Sequence, residues 1–295
     1  MNVRHEHYWD TQKIVRLPTS LSADRPILCH TNLYKTKTTS FFDMHYGLEL
    51  GLVLSGKMRR FYQGQKTDLN RGEPWLCGMW EPHGFEVIQA PCEIIVMTIW
   101  PPMLATLRFD EAPTLNWLGA FTLSPEKRIK LDSRTRNRLF EIGRDINTLC
   151  LAHDEASKLR IRFRLMDILL LLNEKWNVLA QNKNNSSDAL TKINHILQMV
   201  FESKNIVTAQ EAARICGMNR NAFAAFFKDL MGISFPDFAL RYRLQSVASQ
   251  LLNTDIPIKA LASEWGFTDA SHLHRCFCVH YQCSPAEYRK RHHIQ

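Results

Sequence analysis

No stretch of this 295-residue chain is apolar for long enough to cross a bilayer. Runs such as Ile168 to Leu172 fall far short of the roughly 20 residues a spanning helix needs. The opening residues, MNVRHEHYWD, are polar and carry no secretory leader, so a cytoplasmic protein without a membrane partner is expected. Eight cysteines in so long a chain are too few for a disulfide framework. Free, mostly buried thiols are the expectation, with redox sensing the lesser alternative. An acidic excess is absent too: 37 Lys and Arg against 29 Asp and Glu leave a net charge of +8 and a pI near 9.1. That balance excludes little, since it suits a polyanion, a membrane surface or mere solubility.

The length exceeds one typical domain, and 45% hydrophobic residues suffice for two cores. Residues 1 to about 124 alternate short β-type runs with Gly and Pro turns: Leu48 to Leu54, Lys57 to Tyr62, Glu73 to Met79, Phe85 to Ile88 and Glu93 to Trp100. From about Pro125 to Gln181 the period turns helical, with Leu165, Ile168, Leu169 and Leu172 on one stripe. Asn182 to Asp188 (NKNNSSD) has no apolar residue and reads as a linker. The expected division is therefore 1–181, with a helical dimerisation or connector segment at about 125–181, then the linker 182–188 and a second domain 189–295.

That second domain contains one pattern twice, a small-residue segment, a Gly turn and a helix. The first copy is Thr208 to Cys216, Gly217 and the helix bearing Phe223, Phe226 and Phe227. The second is Ile256 to Trp265, Gly266 and the helix bearing Leu273 and Phe277. Each glycine stands where a helix end needs positive φ, and Asn219 and Asp269 are suited to cap the second helix of each pair. Between the copies, Pro236 to Leu252 reads as one long helix, a rigid spacer suited to two major grooves about 34 Å apart. From residue 189 onward twelve Lys and Arg face eight Asp and Glu, a modest net of +4.

Several fragments carry a resemblance: Phe227-Lys228 with Gly232-x-Ser234, Arg241-x-Arg243-Leu244, and Trp265-Gly266-Phe267-x-Asp269-x-Ser271-x-Leu273-x-Arg275-x-Phe277. Ser284-Pro285-x-x-Tyr288-Arg289 completes the set. The segment from about Leu190 to Arg291 resembles the DNA-binding domain of the AraC/XylS family of bacterial transcription regulators. The resemblance implies double-stranded DNA as partner, with RNA polymerase beside it, and activation as the commoner outcome. It places Arg220, Asn221, Ala224 and Ala225 of the first reader at the groove, and Ser271, His272, His274 and Arg275 of the second. Arg275 can donate bidentately to guanine and Asn221 can pair with adenine, whereas the alanines offer only methyl contacts. Base reading is therefore expected under the second reader, with Arg220 and Lys228 positioning the first on phosphates. His272, Cys276 and His280 recur every four residues, but polar contacts and a buried thiol explain them better than a metal does. Gln282 stands where the family pattern has Gly at a helix end, which costs about 1 to 2 kcal/mol if left-handed geometry persists.

The N-terminal part resembles the cupin-type β-barrel often found ahead of such a domain. His45-x-x-x-Glu49 with Gly56, then Gly64, Gly72 and Pro82-His83, carry that likeness, with Asp43 where metal-binding cupins have their first His. Asp43, His45, Glu49 and His83 are donors that could hold Zn²⁺, Mn²⁺ or Fe²⁺. The simpler reading makes His45 and Glu49 hydrogen-bonding residues of an effector pocket. That pocket could also be lined by Trp75, Trp80, Phe85 and Trp100, whose rings would suit a sugar or its derivative, and His83 belongs to the same set. The expected architecture is thus α+β in two domains, a cupin-like β-barrel followed by helices and an all-α domain with two helix-turn-helix motifs. The function it implies is a one-component effector-gated regulator, dimeric if the Leu159 to Trp176 stripe pairs two chains. A metal-sensing regulator is the alternative. A metal-dependent cupin enzyme fused to a DNA reader is the least favoured, since no catalytic residue is marked out by spacing.

Overall fold

A computed structural model describes residues 14–17, 19–62, 65–112, 115, 117–122, 130–152, 154–181, 186–202, 206–231 and 233–292. The chain divides into two compact units, one of Met1–Met103 with Trp117–Asn184 and one of Leu104–Asn116 with Asn185–Gln295.

The first unit is built on an antiparallel sheet. Its described strands are β1 (Val15–Arg16), β2 (Ile27–Tyr34), β3 (Phe41–Met44), β4 (Leu48–Tyr62), β5 (Gln65–Leu69), β6 (Pro74–Cys77) and β7 (His83–Ile99). Two long strands form its spine: β4 pairs with β7 from Leu48 opposite Ile99 to Tyr62 opposite His83, with irregular register between Val53 and Met58. Each of these long strands spans two of the shorter runs expected from the sequence. β2 lies along the C-terminal half of β7 and β3 along its N-terminal half, while β5 and β6 pair with opposite ends of β4. Only β1 runs parallel to its neighbour, β3.

Leu48 to Leu54 are buried without alternation because both faces of β4 are covered there. One cover is a helix: after α1 (Pro101–Ala105) and α2 (Gly119–Thr122) comes α3 (Ser133–Cys150), whose Gly143 backbone sits against Leu52, Leu54 and Ile95. Asp132 caps α3 by accepting a 2.8 Å bond from the Thr135 amide, and Leu139, Ile142 and Ile146 form its buried face. The next helix, α4 (Glu155–Gln181), packs on α3 and buries Ile161, Leu165, Ile168, Leu169 and Leu172. Much of the expected stripe is therefore spent inside the unit. A second stripe on α4 stays in solvent, with Leu159 at 49%, Phe163 at 60% and Leu170 at 42% exposure.

From Ser186 onward the described part of the second unit is helical: α5 (Ser186–Glu202), α6 (Ala209–Ile215), α7 (Arg220–Met231), α8 (Phe235–Asn253), α9 (Ile258–Glu264), α10 (Ala270–Tyr281) and α11 (Pro285–His292). Helix α5 begins at Ser186, inside the stretch that reads as a linker, since Ser186, Ser187 and Asp188 favour a helix start as much as a loop. Side-chain caps mark several of these boundaries. Thr208 and Glu211 form a reciprocal capping box on α6, Ser234 caps α8 with Pro236 in its first turn, and Asp269 caps α10. Phe223 and Phe227 of α7 meet Phe235 and Phe238 of α8 with ring centroids 5.1 to 5.6 Å apart. Around α10 a second cluster joins Phe277, Tyr281 and Tyr288, and the Tyr242 hydroxyl ties α8 to α5 through the Phe201 carbonyl at 2.9 Å. Among the described residues no helix is long and apolar enough to cross a membrane.

Candidate nucleic-acid interface and buried donor cluster

Two helix pairs stand out in the second unit, α6 with α7 and α9 with α10. Each turns at a glycine of positive φ, +65° at Gly217 and +68° at Gly266, a conformation that costs other residues about 1 to 2 kcal/mol. The Asn219 side chain accepts from the Ala222 amide at 2.8 Å and Asp269 from the His272 amide at 2.7 Å, so both second helices start where the sequence places them. Phe223, Phe227, Leu273 and Phe277 are fully buried, whereas Phe226 is only half-buried at the edge of that core.

Burying those faces turns the opposite ones outward. Arg220, Asn221, Ala224, Ala225 and Lys228 are exposed on α7, and Ser271, His274 and Arg275 are exposed on α10. His272 differs: its ring is half-buried, hydrogen-bonded to the Thr268 hydroxyl at 2.7 Å and set against the Phe267 ring. The second turn is held from α8. Arg243 donates to the carbonyls of Trp265 at 3.3 Å and Gly266 at 3.1 Å, and its guanidinium lies 4.9 Å from the Phe267 ring. Cys276 is half-buried, and α10 ends on Gln282, left-handed at φ 57°. That side chain returns a 3.0 Å bond to the Val279 carbonyl, a partial offset to its strain.

In the first unit, strands far apart in sequence bring the four expected donors together. Glu49 of β4 faces Cys77 of β6, and Asp43 of β3 faces His83 of β7. The Glu49 carboxylate accepts from Arg60 at 2.9 Å and the Trp75 indole at 2.6 Å on one oxygen, and meets His45 Nε2 at 3.2 Å and His83 Nε2 at 3.6 Å on the other. Both histidines donate from Nδ1 to a backbone carbonyl, His45 to Gly47 and His83 to Glu81, which leaves both Nε2 atoms facing the cluster. His83 Nε2 and Asp43 Oδ1 approach to 2.7 Å but out of line, so neither has an aligned hydrogen-bond partner. Asp43, His45 and His83 form one group of convergent donors, and Glu49, Cys77 and His83 a second.

The charges balance within this network. Burial pushes His83 down, yet the Cys77 sulfur, Glu49 and Asp43 outweigh it and hold the imidazole well above its ordinary range. Burial pushes Glu49 up, and His83, Arg60 and His45 together bring it well below the usual carboxylate range. With His83 protonated, two carboxylates face two cations, which is how a buried cluster of this kind avoids an uncompensated charge. Arg60, not anticipated as a site residue, had one legible signal. It shares the inward strand register with Met58 and Tyr62, both buried.

The aromatic residues expected at the pocket do not assemble into one wall. Trp75 is buried, with its ring against Gly51 and the Arg60 guanidinium at 4.8 Å. Trp80 adopts φ 53° and lies on the Tyr46 ring. Phe85 packs against Tyr34 and Phe41, and the half-buried Trp100 donates its amide to the Pro26 carbonyl at the strand end. Open volume lies elsewhere in this unit, in a cleft of about 830 Å³ between β2, the end of α3 and the start of α4. Its walls combine Ile27, Leu28 and Ile161 with Arg25, Lys158 and Arg162.

These features define a class of domain, one of the helix-turn-helix type. Residues 212–291 match the family model described as "Helix-turn-helix domain", and the C-terminal domain is of the AraC type. The chain is similar to the "RCS-specific HTH-type transcriptional activator RclR" of Escherichia coli, 30% identical over 96 residues, 32% of this chain and 34% of that protein. It is also similar to the "Uncharacterized HTH-type transcriptional regulator YtdP" of Bacillus subtilis, 32% identical over 112 residues, 38% of this chain and 14% of the relative. A third regulator, from Staphylococcus aureus, is 22% identical across 86% of this chain and 33% of its own length. The chain thus spans about a third or less of the length of these curated relatives. Among solved structures, fatty-acid-bound ToxT from Vibrio cholerae aligns over 90% of this chain and 95% of its own, at 13% identity and a TM-score of 0.46.

Proposed function

We propose that this protein activates transcription by binding promoter DNA through two readers, α7 and α10, in response to a small molecule received by the N-terminal unit. One observation carries the reading: on both helices the aromatic and leucine face is buried, while Arg220, Asn221, Lys228 and then Ser271, His274, Arg275 are exposed on the other. Base discrimination is assigned to Arg275 and Asn221, phosphate anchoring to Arg220 and Lys228. His272 serves α10 through its Thr268 bond more than it serves a base. Occupancy changes would pass to RNA polymerase, and the Leu159, Phe163 and Leu170 stripe is the proposed surface for a second copy.

The effector seat is assigned to the cleft rather than to the interior around Trp75, which side chains already fill. Its apolar floor, with Arg25, Lys158 and Arg162 set against Asp24 and Asp154, leaves a small cationic excess that favours an organic anion with hydroxyl groups, and a sugar acid or sugar phosphate satisfies both this chemistry and the carbohydrate expectation. Selection of bound sequences from random duplex DNA tests the regulator reading. Wild type should enrich one motif, and Arg275→Ala should lose preference at one base pair, worth about 1 to 3 kcal/mol. Unchanged preference at every position would overturn the assignment.

A second reading is favoured by the Asp43, His45, Glu49 and His83 convergence, namely that a divalent metal is the signal. Both Nε2 atoms and the unaligned Asp43 Oδ1 suit such an ion, which would replace the His83 proton. Arg60 on Glu49 opposes it, because the cluster is already neutral without a metal. Metal analysis, and thermal shift with and without EDTA in wild type and His45→Ala, separates the two readings. Stabilisation lost in both EDTA and the variant supports the ion, and stabilisation by an organic anion indifferent to EDTA supports the cleft.

A further inference from the structure

The wall of the same cleft contains two cysteines, Cys29 on β2 and Cys150 at the last turn of α3, whose sulfurs lie 3.1 Å apart. They are 121 positions apart in sequence, so nothing local explains their meeting. Both are half-buried, whereas Cys77, Cys92, Cys216 and Cys283 are enclosed. Half-burial beside open volume of about 830 Å³ is the accessibility that a small reagent needs and an enclosed thiol lacks. Cys29 is anchored by its strand register opposite Met97 of β7, and Cys150 by a helix packed on the sheet. Closing the gap to the ~2.05 Å of a disulfide takes about 1 Å of movement.

We propose that Cys29 and Cys150 are an oxidation site at which a hydroperoxide converts two thiols into a disulfide that fastens β2 to the end of α3. The division of labour follows from their placement: Cys150 is the less enclosed of the two sulfurs and is lowered, while the bond they share and burial raise the deeper Cys29. Cys150 is therefore the sulfur that attacks. Its thiolate attacks the distal peroxide oxygen, the S–O bond forms as the O–O bond breaks, and the leaving alkoxide or hydroxide takes up a proton; the sulfur, oxidised by two electrons, is now a sulfenic acid. Cys29 then attacks that sulfur. The S–S bond forms, the S–O bond breaks, and the departing hydroxide combines with the Cys29 proton as water. Overall two thiols and one hydroperoxide give one disulfide, one alcohol or water, and one water. This chemistry stands apart from the DNA-binding reading, since every atom in it lies in the first unit.

The test uses full-length protein, reduced and then exposed to a few equivalents of hydrogen peroxide, with digestion under non-reducing conditions and mass spectrometry. The expected product is a cross-linked peptide pair containing Cys29 and Cys150, reversed by dithiothreitol, with loss of two thiols per chain and a monomer on a non-reducing gel. In Cys29→Ser, dimedone should trap a sulfenic acid at Cys150, and in Cys150→Ser no adduct should form at Cys29. Cys29 and Cys150 both remaining alkylatable after that exposure, or a disulfide joining two chains instead, would overturn the proposal. The wild-type peptide map decides this without either variant having to fold.

Discussion

Replacing Glu49 with Gln keeps the volume of the side chain and removes only its charge, so its cost reports whether the buried cluster is balanced as described. The amide oxygen can still accept from the Trp75 indole, which now sits at 2.6 Å, and from Arg60, now at 2.9 Å. What disappears is the counter-charge to Arg60, a side chain 4% exposed with no water to replace its partner. Removing one partner of a buried pair costs about 3 to 5 kcal/mol. For a unit of this size each kcal/mol moves Tm by about 2 to 4 °C, so the N-terminal transition should fall by roughly 6 to 20 °C. Circular dichroism melts at pH 6 measure this directly. Adding Arg60→Met to the same chain removes both members of the pair, and Asp43 with protonated His83 then remain balanced. The double variant should therefore recover at least half of the loss, about 1.5 to 2.5 kcal/mol. A shift below about 3 °C in Glu49→Gln, or a double variant worse than the sum of the singles, would refute the charge assignment.

Other outcomes follow from the same geometry. His83 is raised from its ordinary 6.5 and Glu49 lowered from 4.5, so the stabilisation from His83 is complete below about 6.5 and is lost as pH climbs through its raised value. That from Glu49 is complete above about 4.5 and is lost as pH falls through its lowered one. Melting of the first unit should be highest between those limits and lower at pH 8 than at pH 6; a flat profile from 6 to 8.5 would contradict the protonated imidazole. Gly51→Ala should destabilise by about 1 to 3 kcal/mol, because a methyl group there collides with the Trp75 ring, and urea denaturation measures it. Gln282→Gly should stabilise the second unit by about 1 kcal/mol by relieving the left-handed strain, read as a rise in its Tm.

How much of this was legible in the sequence tracks the range of the interactions involved. Gly217, Gly266, Asn219 and Asp269 announce their turns and caps because each acts within three residues of itself. The spacer was legible to within a residue at either end, since α8 opens on a Ser cap and an early Pro. Asp43, His45, Glu49 and His83 were named from motif spacing, and the strand register brings them together. Arg60 and the Cys29–Cys150 contact were not anticipated, because both depend on pairing between segments remote in the chain. β2 went unmarked for a related reason. Its residues, ILCHTNLY, are mostly half-buried along their length, so neither clean alternation nor a continuous apolar run signals a strand.

Arg243 reaches from α8 to the two carbonyls at the turn between α9 and α10, groups that a helix end leaves without backbone partners. The pitch of α10 is therefore held in part by a lever on the spacer helix. At Gly217 a side chain would meet open space. On the proposed reading, a change at position 243 should shift the whole of α10 without touching a residue assigned to DNA. Searches for variants with altered operator spacing should begin there.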